Sequence, residues 1–202
     1  DVETALEAFS ILRDRGSPAA LFFLAGRNPS NHAEQDEPHR RALESARARG
    51  LLAANVFFNE RSVGSSELPA YLEHCHAGLL SNGAHLESLA SWRTRQLDLL
   101  WAGKPAVVAG EDPLSRRMVD AGAAWMAPAG DSAALALADS VEASLVEADY
   151  RAASHKARRL AASLRQESVT SMVAMDLARM DRFRSSGVPC DVSWVLRYVL
   201  GF

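Results

Sequence analysis

Short apolar runs spaced by helix-period segments constrain this chain more than any other feature. Five runs have the length and composition of buried strands: Leu21-Phe22-Phe23-Leu24-Ala25, Val56-Phe57-Phe58, Ala77-Gly78-Leu79-Leu80, Ala106-Val107-Val108-Ala109 and Ala124-Trp125-Met126-Ala127. Val2, Ala5, Leu6, Phe9 and Leu12 recur at helical spacing ahead of the first run, and Gly16 ends that pattern. After a polar loop through Pro38, further helices are expected from Arg40 to Arg49, Glu67 to His74, Ser91 to Trp101 and Leu114 to Ala121. Another runs from Asp131, as its cap, to about Val146. Strands that are apolar throughout need cover on both faces, which parallel βαβ units provide. The expected fold class is therefore α/β, a doubly wound parallel sheet followed by C-terminal helices.

Such sheets bind ligands beyond the carboxyl ends of their strands. Three polar or glycine-containing loops are expected there: Gly26-Arg27-Asn28, Asn59-Glu60-Arg61 and Ser81-Asn82-Gly83-Ala84-His85. The next helix adds chemistry to that edge. Ser91 is a fair N-cap, and Gly103 with Pro105 is a strong stop signal. Free backbone N–H groups at a helix start favour an anion, and Arg93 and Arg95 add charge at the same place. Asp98 lies deeper in the helix as a candidate acceptor for hydroxyl groups. An anion beside a vicinal diol is the outline of a nucleotide. The same residues also fit a surface helix with a salt bridge between Asp98 and Arg95.

Composition narrows the classes. The 202 residues carry 22 Lys and Arg against 25 Asp and Glu, a net charge of −3, which argues against a dedicated nucleic-acid binder. Lysine occurs only at Lys104 and Lys156. Two cysteines, Cys75 and Cys190, are too few for a disulfide framework or a metal cluster and read as reduced thiols. No apolar run approaches the roughly 18 residues of a membrane span, and no signal-peptide pattern is present. A cytoplasmic location is the expectation. Gly-x-Gly-x-x-Gly, a complete P-loop and Gly-x-Ser-x-Gly are all absent. His74-Cys75-His76 is a poor metal site, because adjacent residues leaving a helix end do not converge easily on one ion.

The stretch from Asp98 through Ala102-Gly103-Lys104-Pro105-Ala106-Val107-Val108 resembles the nucleotide-sugar-binding half of GT-B glycosyltransferases of the group 1, family-4 kind. Asp98 takes the place of the second glutamate in their glutamate–seven residues–glutamate motif, and Ala90 that of the first. His85-Leu86-Glu87 and Ser91-Trp92-Arg93-Thr94-Arg95 are similar to a branch with its own His-Leu-Glu and Arg-Thr-Arg pattern, in which Glu87 is the substitute acid. The resemblance covers about residues 1 to 147. It implies a Rossmann-like sheet, the C-terminal half of a GT-B enzyme, binding a nucleotide-diphosphate sugar. Asp98 would meet the ribose, Arg93, Ser91 and Thr94 the phosphates, and Glu87 the sugar, with His85 and Arg27 as weaker candidates. It further implies retaining transfer without metal or other cofactor, and no catalytic residue in this half.

On this reading residues 1–148 form the donor domain, lacking the strand with which such domains begin. Residues 149–202 form a helical extension packing on an N-terminal half, which would bind the acceptor: a glycan, a lipid or a small molecule. The apolar tail Trp194-Val195-Leu196-Arg197-Tyr198-Val199-Leu200 could dock on that half, pair with another subunit, or lie on the inner face of a membrane. The fragment alone is expected to be inactive. Two other classes stay open: a non-catalytic nucleotide-binding or scaffolding relative, consistent with Ala90, and a sugar-nucleotide epimerase on the same fold. The base, the sugar, the acceptor and the oligomeric state are not legible in the residues.

Overall fold

A computed structural model of the chain describes residues 1–24, 37–59, 63–81, 95–110 and 112–164. Helix α1 spans Val2–Asp14, followed by β1 (Leu21–Phe23), α2 (Glu37–Ala48), β2 (Val56–Phe58), α3 (Leu68–His74) and β3 (Gly78–Ser81). Then come α4 (Arg95–Trp101), β4 (Ala106–Ala109), α5 (Pro113–Asp120), β5 (Ala124–Ala127), α6 (Ala133–Ser144) and α7 (Glu147–Ser163). Among the described residues every strand pairing is parallel, as expected for βαβ units. β1 pairs with β2, Leu21 opposite Val56. β3, β4 and β5 form a second sheet in that order, with Gly78 opposite Ala106 and Ala106 opposite Ala124.

One compact unit runs from Asp1 to Ala161; Ala162–Phe202 belongs to a second. The first unit has a continuous core. Ala5, Leu6, Ala8, Phe9 and Leu12 of α1 meet Leu21 and Val56 of one sheet, Val107 and Ala109 of the other, and Leu137, Ala138 and Val141 of α6. Ala5, Leu6, Phe9 and Leu12 belong to the helical stripe read from the sequence; Ala8 joins them, while Val2, also read as part of that stripe, is exposed. All four β4 residues are buried, because β4 has a strand on each side and helices on its faces.

Some boundaries differ from expectation. Helix α2 starts at Glu37, so Pro38 sits in its first turn, where its missing N–H costs nothing, and not in the preceding loop. Glu37 helps hold that turn by pairing with Arg40 and Arg41. Asp131 does not cap α6. Ser132 occupies the N-cap position without a side-chain cap bond, and Gly130, at φ 127°, turns the chain so that its carbonyl accepts from Ala133 N. That helix stops at Ser144, short of Val146.

Candidate functional site

β3 and β4 are parallel, so the chain leaves β3 at the carboxyl edge of the sheet and enters β4 at the opposite edge. Helix α4 lies on that return path, with its opening turn toward the carboxyl edge. Its far end is closed as the sequence indicates. Gly103 adopts φ 68°, its N–H donates to the Leu100 carbonyl, and Lys104 N donates to Leu99 O. Ser154 Oγ of α7 donates to the Gly103 carbonyl at 2.6 Å, and a Cβ at Gly103 would run into Arg158. Gly78 allows the close approach of α4 to β3, since a Cβ there would collide with Leu99.

The rotation of α4 about its axis is fixed by a buried polar cluster. Gln96 is fully buried, and its Nε2 donates to Asp112 Oδ2 at 2.8 Å and to Ser115 Oγ at 2.9 Å. Asp112 Oδ1 accepts from Leu114 N and Ser115 N, capping α5 just beyond the carboxyl end of β4, while Ser115 Oγ donates to Asp112 Oδ2. Gln96 Oε1 is buried without a partner. With Gln96 held inward and Leu99 and Leu100 in the core, Asp98 lies about 200° around the helix from Gln96. It is half-buried on the outer face, near Trp101, which is 63% exposed. The Asp98–Arg95 salt bridge that the sequence allowed does not form: among the described residues Asp98 makes no ion pair.

Of the candidate site residues, Asp98 and Arg95 are described, Arg95 being exposed in the first turn of α4. Arg27, His85, Glu87, Ser91, Arg93 and Thr94 lie outside the described residues, as does the expected N-cap of α4. The cluster that orients Asp98 was missed in the sequence, although Asp112-Pro113 carries a cap-then-proline signal for a helix start. His74, Cys75 and His76 turn to separate neighbours. His74 Nδ1 lies 2.7 Å from Ala70 O, Cys75 Sγ donates to Leu72 O, and His76 Nε2 lies 2.8 Å from Ser144 O with its ring stacked on Tyr150. Burial pushes the Cys75 thiol above its ordinary pKa, with Lys104 opposing the shift. Among the described residues no three His, Cys, Asp or Glu side chains gather as a metal site, and no helix is long and apolar enough to cross a membrane.

The fold has solved counterparts. The chain is similar to the sucrose-phosphate synthase of Thermosynechococcus elongatus, with a TM-score of 0.63 and 16% identity over 93% of this chain and 43% of that one. It is also similar to the N-terminal domain of trehalose-6-phosphate phosphatase from Candida albicans, with a TM-score of 0.63 and 16% identity over 88% of this chain and 38% of that one. The chain thus spans about two fifths of the length of each. No family model and no curated protein matches the sequence. At this identity the likeness is one of fold alone, a Rossmann-like α/β domain with parallel strands.

Proposed function

We propose that this chain is the donor-binding domain of a glycosyltransferase that takes a nucleotide-diphosphate sugar. The observation that carries the reading is the placement of Asp98. Its helix is locked through Gln96 to the cap that follows β4, and its carboxylate faces outward without an ion-pair partner among the described residues. A carboxylate there can accept two hydrogen bonds from ribose hydroxyls, and charge-assisted bonds of this kind are stronger than neutral ones. Arg93, Ser91 and Thr94 would hold the diphosphate, with Glu87 at the sugar and His85 and Arg27 at the rim. Fixed positive charge aimed at the departing diphosphate would stabilise the charge that grows there in the transition state. Transfer would retain the anomeric configuration and need no metal. The acceptor, a glycan, lipid or small molecule, would be held by a separate half of the enzyme.

Calorimetric titration with UDP, GDP, ADP and dTDP tests this. One diphosphate should bind in preference to the others, and Asp98→Ala should weaken it by about 1–3 kcal/mol. Arg93→Ala should weaken the diphosphate much more than the matching nucleoside. Equal affinity in wild type and both variants removes the proposed pocket. The reading as a non-catalytic relative rests on Ala90, which stands where the resemblance places a glutamate. Diphosphate binding without sugar transfer, in a preparation supplied with the acceptor-binding half, would favour that second reading.

A further inference from the structure

Charge is unevenly placed in this chain. Its net charge is −3, yet from Tyr150 to Ala161 of α7 there are four Arg or Lys residues, one His and no Asp or Glu. Ala153, Ser154, Ala157, Leu160 and Ala161 turn inward and are buried. Arg151, His155, Lys156, Arg158 and Arg159 share the opposite, exposed face. Arg151 pairs with Glu147 in the first turn of the helix. Lys156, Arg158 and Arg159 make no ion pair among the described residues. Helix α2, by contrast, answers Arg40 and Arg41 with Glu37 and Glu44.

Two of these cations reach the ends of other helices. Arg158 lies against Gly103, just past α4, and Lys156 Nζ lies against Gly122, just past α5. Lys104 Nζ donates to Glu73 O at the end of α3. Three helices thus turn their carbonyl ends toward three cations, which the helix dipoles favour. Each helix end carries only about half an elementary charge, so the cations are held in place without being cancelled. Gly78, Ala106 and Ala124 open β3, β4 and β5 beside these helix ends. The basic surface therefore lies at the amino edge of the three-stranded sheet, across from the carboxyl edge toward which α4 opens. Trp101, the last residue of α4, is 63% exposed at the same end of that helix.

We propose that the exposed face of α7, with Lys104 and Trp101 beside it, docks this unit on an anionic lipid surface. The outer side of a helix is convex and offers no groove in which a nucleic-acid strand could track. Long Arg and Lys side chains, however, reach a plane of headgroups independently of one another, and each adds attraction there. A tryptophan ring, apolar with one polar edge, suits the boundary between headgroups and water. Contact at the amino edge leaves the carboxyl edge turned to solvent. The surface stands apart from the nucleotide pocket proposed above, and neither depends on the other.

The test is cosedimentation of the chain with vesicles of phosphatidylcholine alone and of phosphatidylcholine mixed with phosphatidylserine. Binding is expected to the mixed vesicles only, and it should fade as salt is raised. The triple variant Lys156→Gln, Arg158→Gln, Arg159→Gln should bind them about a hundredfold more weakly, and each single change about fivefold. Arg158→Lys with Arg159→Lys keeps the charge and should bind as the parent chain does. Trp101→Phe should remove the blue shift of tryptophan fluorescence that the mixed vesicles induce. Circular dichroism of each variant confirms that the helices remain. Equal binding by the triple variant overturns the proposal, as does equal binding to neutral vesicles. Loss of binding in the charge-keeping variant overturns it too, because charge would then not be what binds. So does binding that is lost on Leu196→Asp in the apolar tail but kept in the triple variant. Tighter binding to single-stranded DNA or to polyglutamate than to the mixed vesicles also overturns it, since the partner would then be another kind of polyanion.

Discussion

β1 and β4 are both short apolar runs, yet they end in different surroundings. In β4 every residue is buried, with β3 on one side, β5 on the other and helices on its faces. In β1 only Leu21 is buried; Phe22 is exposed and Phe23 half-buried. Its partner β2 repeats the pattern, with Phe57 41% exposed opposite Phe22. Aromatic contacts supply part of what neighbouring strands supply to β4: Phe23 stacks on Phe58 at 4.5 Å, and His39 meets Phe58 edge-on. A strand's burial is thus decided by its neighbours in the sheet as much as by its own composition. The three-stranded side should carry most of the stability, and the two-stranded side should be the softer half.

The hardest test of that asymmetry is Leu100→Ala. Leu100 is fully buried in α4, and its loss leaves a cavity in the three-stranded half. The expected cost is about 2–5 kcal/mol, read as a shift of the urea midpoint at unchanged slope. A cost below that of the equivalent change on the β1–β2 side would break the comparison. Asp112→Ala comes next. It removes the cap of α5 and the acceptor for Gln96 Nε2, leaving a second unmet polar group on an already part-satisfied Gln96. About 1–3 kcal/mol is expected, together with faster exchange at Leu114 and Ser115. Asp112→Asn should recover much of the cap, which separates capping from simple loss of volume. On the other side, Phe57→Ser removes a ring that water already reaches, and should cost about 1 kcal/mol or less. A larger loss would mean that the two-stranded side depends on its outer face more than its exposure indicates.

The sequence was most readable where structure is local. β2, β4 and β5 occupy the runs Val56–Phe58, Ala106–Ala109 and Ala124–Ala127 as read, because each is short, apolar and bounded by turn residues. Gly103 announces the end of α4 by its own chemistry, since a positive φ suits glycine. Asp131 shows the limit of such rules. It is a good capping residue one position too early, and Gly130 and Ser132 make the turn instead. The Gln96–Asp112–Ser115 cluster was not legible, because it joins residues sixteen and nineteen positions apart that no local pattern links. Asp98 could be named as a candidate from its place in the helix. Its outward direction, however, follows from that unread cluster. The division of the described strands into two sheets was equally hidden, because β1 and β3 have the composition of ordinary interior strands.

The smallest expected effect concerns what holds the outside of the softer half. Helix α2 buries only Ala42 and Ala46, so little apolar surface fixes it beside β1 and β2. Charge instead steadies the helix from within: Glu37 accepts from Arg40 and Arg41, and Arg40 also reaches Glu44, all inside α2. The Arg40 bond, then that of Arg41, holds the Glu37 carboxyl below its ordinary pKa. A carboxyl whose folded pKa is lower than its unfolded one stabilises the fold above the unfolded pKa. That contribution is lost as pH falls through the folded value. These side chains are exposed, so the effect is screened by salt and small. Proton exchange or NMR chemical shifts of α2 should therefore show fraying on acidification, or in high salt at neutral pH, before α4 and α5 respond. Glu37→Gln should flatten the acid-side change in α2 while leaving the three-stranded half as it was. If α4 and α5 loosen together with α2 under those conditions, the two sides are one cooperative unit, and the contrast between β1 and β4 has no counterpart in stability.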